Sequence, residues 1–392
     1  MYPRIYLAID NCFASKRWST PADWMKVISD AGIYYVEASA DNECDPLYSG
    51  TDFLKDWCSD VRAHSAETGV RIANLYSGHG TYATLGLADF DTRVRDRIQH
   101  QWLEAMIRSA AALNAGLGFF CHAFDQHTLQ EPELYKAAVN DLRKRFAELA
   151  SYAKTHGVNS IGVEQMYTPH QVPWTIESAR RMLRWIHQYN GSNFYLTIDT
   201  GHQSGQYRFR RPTLETIREA METVKADDRV EHVYLGCDKA YQTALEMAEK
   251  GESAEKILDA VAAANERYPY LFSTESDSDT YSWLSELGCF SPIVHLQQTD
   301  GKSSAHQPFD EKCNAAGIIK GEKLLPAIAE AYRKNFADMP EKCPEICLTL
   351  EVFAGTAELP VDILNKVKDS AAYWRQFIPE DGMPLDELLK RL

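Results

Sequence analysis

Residues 159–202, NSIGVEQMYTPHQVPWTIESARRMLRWIHQYNGSNFYLTIDTGH, decide the fold. NSIGVE (159–164) reads as a strand ending in Glu164. TIESARRMLRWIHQYNG reads as a helix, and FYLTID (194–199) as a second strand ending in Asp199. Strand, helix and strand with short joins form a βαβ unit, which implies parallel pairing and a right-handed crossover.

The same order runs through the chain on both sides. RIYLAID at the N-terminus is a strand, and Thr20-Pro21 then opens a helix with an N-cap followed by proline at its first position. Trp24, Val27 and Ile28 mark the apolar face of that helix, and Gly32 stands where a C-terminal cap belongs. IYYVEAS (33–39), VRIANLY (70–76) and LGFFCHAF (117–124) follow as strands, each separated from the next by a helical segment. Beyond Asp199 come PIVHLQQ (292–298) and CLTLEVF (347–353). Eight strands alternating with helices predict a single-domain (β/α)8 TIM barrel closed by a C-terminal helical tail.

The regularity lapses once. The helix PTLETIREAMETVKADD fits the ring, but residues 225–285 read as an insertion between strands 6 and 7. Its polar stretch STESDSDT could lie over the barrel mouth as a lid, or the insertion could serve oligomer contacts.

Composition narrows the function. The 392 residues are 45% hydrophobic and 25% charged, enough for a barrel and its helix ring. A net charge of −15 opposes nucleic-acid binding, which needs a basic footprint. No twenty-residue apolar run and no signal-like N-terminus occur, so no membrane role and a cytoplasmic location are expected. Nine cysteines without a CxxC pair suit free thiols in a reducing compartment. GxGxxG, Walker A, HExxH and GxSxG patterns are all missing.

The chemistry lies at the strand ends. Glu164, Asp199, His295 and Glu351 each close one of the last four strands, which are neighbours in a closed barrel. Taken singly, each could cap a helix or pack in the core. Together they form an oxygen-rich set with one imidazole, suited to one divalent ion: Mn²⁺, Mg²⁺ or Co²⁺, with Zn²⁺ also admissible.

VEQM, IDTGH, VHLQQTDG and LEVFAG, with NAAGIIKGEKLLPAI after the histidine strand, resemble the xylose-isomerase-like sugar isomerase and epimerase superfamily, ketose 3-epimerases among them. The resemblance covers most of the barrel but has no counterpart for 225–285. It implies a metal-dependent sugar or sugar-phosphate isomerase or epimerase working by proton transfer through an enediolate. Glu164, Asp199, His295 and Glu351 would be its ligands, and Glu164 and Glu351 its acid/base pair. His202 would contact a substrate hydroxyl or carbonyl, a neutral ring donating to an enediolate oxygen. Lys302 and His306 stand where such relatives often carry a cationic substrate contact, commonly arginine.

Other candidates come from position alone. Gln297 shares a strand face with His295, which suits a substrate or supporting role. Glu37 and His122, at the ends of strands two and four, could bind a polyol or be structural. His79 and Tyr82 in the third loop could close over substrate. A carbohydrate ligand and a homo-oligomer are expected. The rival readings are a dehydratase of a cyclic polyol or keto acid in the same superfamily, an endonuclease IV-like phosphodiesterase, and a non-catalytic binding barrel.

Overall fold

The computed structural model describes residues 2–77, 85–158, 160–227 and 229–392; His79 and Tyr82 lie outside them. Eight parallel strands close into a barrel: β1 (Arg4–Asp10), β2 (Tyr35–Ser39), β3 (Arg71–Ser77), β4 (Gly116–Phe119), β5 (Ile161–Glu164), β6 (Tyr195–Asp199), β7 (Ile293–Leu296) and β8 (Glu345–Leu350). Pairing runs in sequence order, and β1 joins both β2 and β8, so no parallel edge is left open.

The ring helices are α1 (Pro21–Asp30), α2 (Pro46–Thr68), α3 (Glu104–Leu113), α4 (Pro132–Thr155), α5 (Ile176–Asn190), α6 (Thr280–Leu287), α7 (Gly321–Arg333) and α8 (Pro360–Arg375). In α5, Ile176, Ala179, Met182, Leu183 and Ile186 recur at helical spacing and are buried against the barrel. Burying one such aliphatic side chain contributes about 1.5–3 kcal/mol. Thr175 and Ser178 cap the start of α5 reciprocally, and Gly191, at φ 66°, ends it in the left-handed region.

The structure relocates the insertion. α6 begins inside the stretch 225–285 yet fills the ring position between α5 and α7. Its Trp283, Leu284 and Leu287 are wholly buried, while Glu286 pairs with Arg180 of α5 at 2.7 Å. The helix Leu214–Asp227, expected in the ring, packs instead on two further helices, Asp238–Glu249 and Ala254–Ala264. Asp238–Glu249 gives little sign of itself in the sequence, because its buried positions, Ala240 and Ala244, are too small to signal a core face.

The polar stretch is tied down by hydrogen bonds. Ser273 Oγ donates to Gln206 O (2.7 Å), and Thr280 Oγ1 donates to Thr200 O (2.9 Å). These bonds fasten it to the segment that leaves β6, just beyond Asp199.

The C-terminal tail forms a short strand β9 (Met383–Pro384), antiparallel to Arg4 and Ile5, and a helix Leu385–Leu389. Both lie at the start of β1, the end of the barrel opposite the strand-end residues. All nine cysteines are free. No helix among the described residues is long and apolar enough to cross a membrane.

Candidate active site

Register brings the strand ends together. Asp10 of β1 pairs with Glu37 of β2, and Glu37 with Asn74 of β3. Asp199 of β6 lies beside His295 of β7. Glu164, Asp199, His295 and Glu351 are all buried, and their ligand atoms lie within 4.8 Å of one another. Strand alternation aims them inward, and closure of the barrel does the rest.

His295 is the hub of this cluster. Its Nδ1 lies 3.0 Å from Glu164 Oε1 and 3.1 Å from Glu351 Oε1. Its Nε2 lies 2.6 Å from Glu37 Oε1. Asn74 Nδ2 donates to the other oxygen of Glu37 at 2.6 Å. With Nε2–H donated to Glu37, Nδ1 is the nitrogen that faces the carboxylates. This is the tautomer and orientation that a carboxylate behind a ligand histidine imposes.

Asp199 and Glu164 also have their own holders. Gln297 Nε2 donates to both oxygens of Asp199, each at 2.9 Å, and the backbone N–H groups of Gly201 and His202 add two more bonds. A Cβ on Gly201 would come within 2.3 Å of the Gln297 side chain, so glycine there makes room for the clamp. Tyr76 Oη donates to Glu164 Oε2 in a short hydrogen bond. Its ring also meets His295 edge-on at 5.1 Å. Gly118 of β4 gives the ring its space, since a Cβ there would sit 2.8 Å from Tyr76.

Charge explains what the pocket needs. Asp10, Glu37, Glu164, Asp199 and Glu351 are all buried, and no lysine or arginine among the described residues pairs with any of them. Burial, with Glu37 and Glu351 alongside, pushes Asp10 well above the usual carboxylate range. Burial likewise raises Glu351 well above its ordinary value. Burial opposes charge on His295 too, but Glu351 and Glu37 outweigh it and hold the imidazolium well above the usual histidine range. At Asp199 burial is outweighed by His202 and His306, which lower its pKa. Carboxylates so enclosed are costly without a cation.

The donor set fits one divalent ion. Three carboxylates and one imidazole converge, and Glu351 Oε2 is buried without a hydrogen-bond partner. Oxygen-rich donors with a single nitrogen suit hard or borderline cations. Glu164, Asp199, His295 and Glu351 can hold such an ion.

The other expected residues divide. His202 is buried in the site, with Nδ1 2.7 Å from Gln165 O and Nε2 4.0 Å from Asp199 Oδ1. A carbonyl only accepts, so Nδ1 carries the proton. A neutral His202 in this tautomer presents a lone pair at Nε2, which suits accepting from a hydroxyl rather than the expected donation to an enediolate oxygen. His306 also faces the cluster, its backbone N–H bonded to Gln297 Oε1 (2.7 Å) and its ring against Phe353. Its Nδ1 lies 3.2 Å from Glu351 Oε2, but the two atoms are not aligned as a hydrogen bond.

Lys302 does not reach the site. It sits on a turn closed by Thr299 Oγ1 to Ser303 O (2.6 Å), and its side chain is 85% exposed beside Asp300. Lys302→Ala is expected to leave turnover and stability unchanged within about 0.5 kcal/mol, as measured by kcat/KM and thermal melting. β4 ends at Phe119, so His122 lies in the following loop, buried with its ring 4.5 Å from that of Phe120.

Sequence reasoning does not single out Tyr76, Asn74 and Asp10. Asn74 and Tyr76 are two apart on β3 and share a face, and Asp10 closes LAID much as Asp199 closes LTID. These are the signals that could have found them. Tyr76→Phe, which removes only the hydroxyl on Glu164, is expected to lower kcat about tenfold with the fold intact. Steady-state kinetics and circular dichroism check this.

Comparison with known proteins follows the same lines. Residues 25–245 match the family described as xylose isomerase-like TIM barrel. The chain belongs to that family. One curated relative, D-erythrulose 1-phosphate 3-epimerase of Brucella abortus (strain 2308), is 28% identical over 134 residues, 31% of this chain. The match spans only 40% of that relative's length. A xylose isomerase candidate from Rhodospirillum rubrum ATCC 11170 superposes with a TM-score of 0.66 at 16% identity, covering 95% of this chain and 98% of the other. A D-psicose 3-epimerase solved in the presence of D-fructose gives 0.53 at 12% identity, covering 94% and 98%. At such identities the two structures speak for the fold of this xylose isomerase-like barrel.

Proposed function

We propose that this xylose isomerase-like barrel is a divalent-metal-dependent sugar epimerase or isomerase that moves a proton through an enediolate. The observation that carries this reading is the buried convergence of Glu164, Asp199, His295 and Glu351. The relative named a sugar-phosphate 3-epimerase supports epimerisation of a ketose as the reaction.

A bound divalent ion would supply Lewis acidity to a substrate carbonyl and its neighbouring hydroxyl, acidifying the C–H of the hydroxyl-bearing carbon. The side chains do the rest. Glu351 Oε2, which has no hydrogen-bond partner, takes the proton. Burial raises the pKa of this carboxylate, and so strengthens it as a base once ionised. Glu164, held by Tyr76 and lying beside the same nitrogen of His295 as Glu351, returns the proton. Return to the same carbon from the opposite face inverts it; return to the adjacent carbon interconverts aldose and ketose. His202 Nε2 accepts a substrate hydroxyl, and Gln297 keeps Asp199 in place.

The test is metal-dependent uptake of solvent deuterium across a panel of aldoses, ketoses and their phosphates. Deuterium at a single carbon of an epimerised product supports the reading. Loss of water from the product would instead indicate the dehydratase, and turnover unaffected by EDTA would overturn the metal role.

A further inference from the structure

A cavity of about 640 Å³ lies outside the barrel mouth, between α4, α5 and residues 266–272 of the inserted segment. Tyr135 and Tyr270 stack on one another in its wall with ring centroids 3.7 Å apart, and Trp174 and Phe272 also line it. Arg143 of α4 enters this space. Its Nε is enclosed and has no hydrogen-bond partner, and no carboxylate among the described residues pairs with its guanidinium.

The contrast with its neighbour is informative. Arg145, two residues further along α4, is satisfied by Asp141, Gln99 and Asp96 at 2.8, 2.7 and 2.8 Å. Arg143 instead faces another cation. Burial, then Arg181 of α5, lowers its pKa, with only Tyr135 acting against them. Arg181 also lines the cavity, and its contact with Glu177 is a 3.6 Å surface pair with both side chains at least 60% exposed. Such a pair is weak and leaves the guanidinium available. Two carboxylates line the cavity, Glu133, which is 3.6 Å from Arg267, and Glu266.

A half-buried guanidinium without an anion is costly, and a second one beside it adds to the cost. A planar fork of N–H donors matches phosphate and carboxylate, while stacked tyrosines offer a flat apolar wall. The volume is that of a small-molecule site.

We propose that this cavity is a second ligand site, for a small organic phosphate or carboxylate held by Arg143 and Arg181 with its flat body against Tyr135 and Tyr270. None of its lining residues belongs to the metal cluster, so the site is independent of the proposed reaction.

Calorimetric titration of the metal-loaded protein with phenyl phosphate, benzoate, inorganic phosphate and phenol tests this. Phenyl phosphate or benzoate is expected to bind, the tighter naming the head group, and phenol to bind far more weakly. Arg143→Gln is expected to weaken the tighter ligand by about tenfold or more, and Arg181→Gln by less. Affinity for Mn²⁺ alone is expected to stay unchanged in both variants, which separates this cavity from the barrel. Arg143→Lys keeps the charge but loses the fork, and is also expected to bind more weakly; it serves if the glutamine variant fails to fold. Equal affinity in wild type and Arg143 variants, binding of phenol as tight as of phenyl phosphate, or binding of neither anion overturns the proposal.

Discussion

Replacing Glu351 by glutamine is expected to lower kcat by about 10²–10⁴-fold, the usual contribution of a positioned general base. The amide matches the carboxylate in size but cannot accept the proton. Glu351 Oε2 is the buried carboxylate oxygen of the ligand set that no protein donor occupies, so the loss falls on the chemical step. Glu351 is also a proposed ligand, and the two roles separate by adding metal. Asp199→Asn should recover much of its lost activity at saturating metal, because Asp199 only holds the ion. Glu351→Gln should not recover, and its exchange of substrate protons with solvent should stop. Full exchange in metal-saturated Glu351→Gln would remove Glu351 from the proton path.

The second large effect concerns a residue outside the ligand set. Glu37→Gln is expected to weaken divalent-metal affinity about tenfold, and Glu37→Leu about a hundredfold, the range found for partners of ligand histidines. Glutamine can still accept from His295 Nε2, whereas leucine releases the ring altogether. Melting of the metal-free protein checks that the barrel persists. Competition with a chelating dye measures affinity.

The same series has a pH signature. In the metal-free protein the raised pKa values of His295, Glu351 and Asp10 mean that protons occupy the cluster. Metal binding expels them, so affinity should rise with pH, up to about tenfold per unit for each proton released, and level off above those raised values. Glu37 is one of the two carboxylates that raise His295. Its neutralisation should therefore move the plateau to lower pH. An affinity that is flat in pH would exclude proton displacement from His295.

Much of this was legible in the sequence. Short apolar runs separated by helical segments located all eight strands, and four of those runs ended in Glu164, Asp199, His295 and Glu351, which strand alternation at the barrel's C-terminal rim can turn toward the mouth. A ligand set of this kind needs no long-range information beyond strand order. The ring position of α6 was less accessible: a helix of eight residues carries little periodic signal, and the longer helix Leu214–Asp227 imitated it.

Only the tertiary structure assigned the supporting side chains. Whether Glu37 meets His295, Tyr76 meets Glu164, or Lys302 turns away depends on distances across the barrel and on the geometry of one turn. Those depend on closure and register, which join residues as far apart as Glu37 and His295. Sequence by itself determined the barrel and the four residues at its strand ends, since both follow from the local order of apolar strands and helices. Which nitrogen of His295 faces the ligands, and which arginine is left without an anion, were decided by the packing of strands and helices distant in the chain.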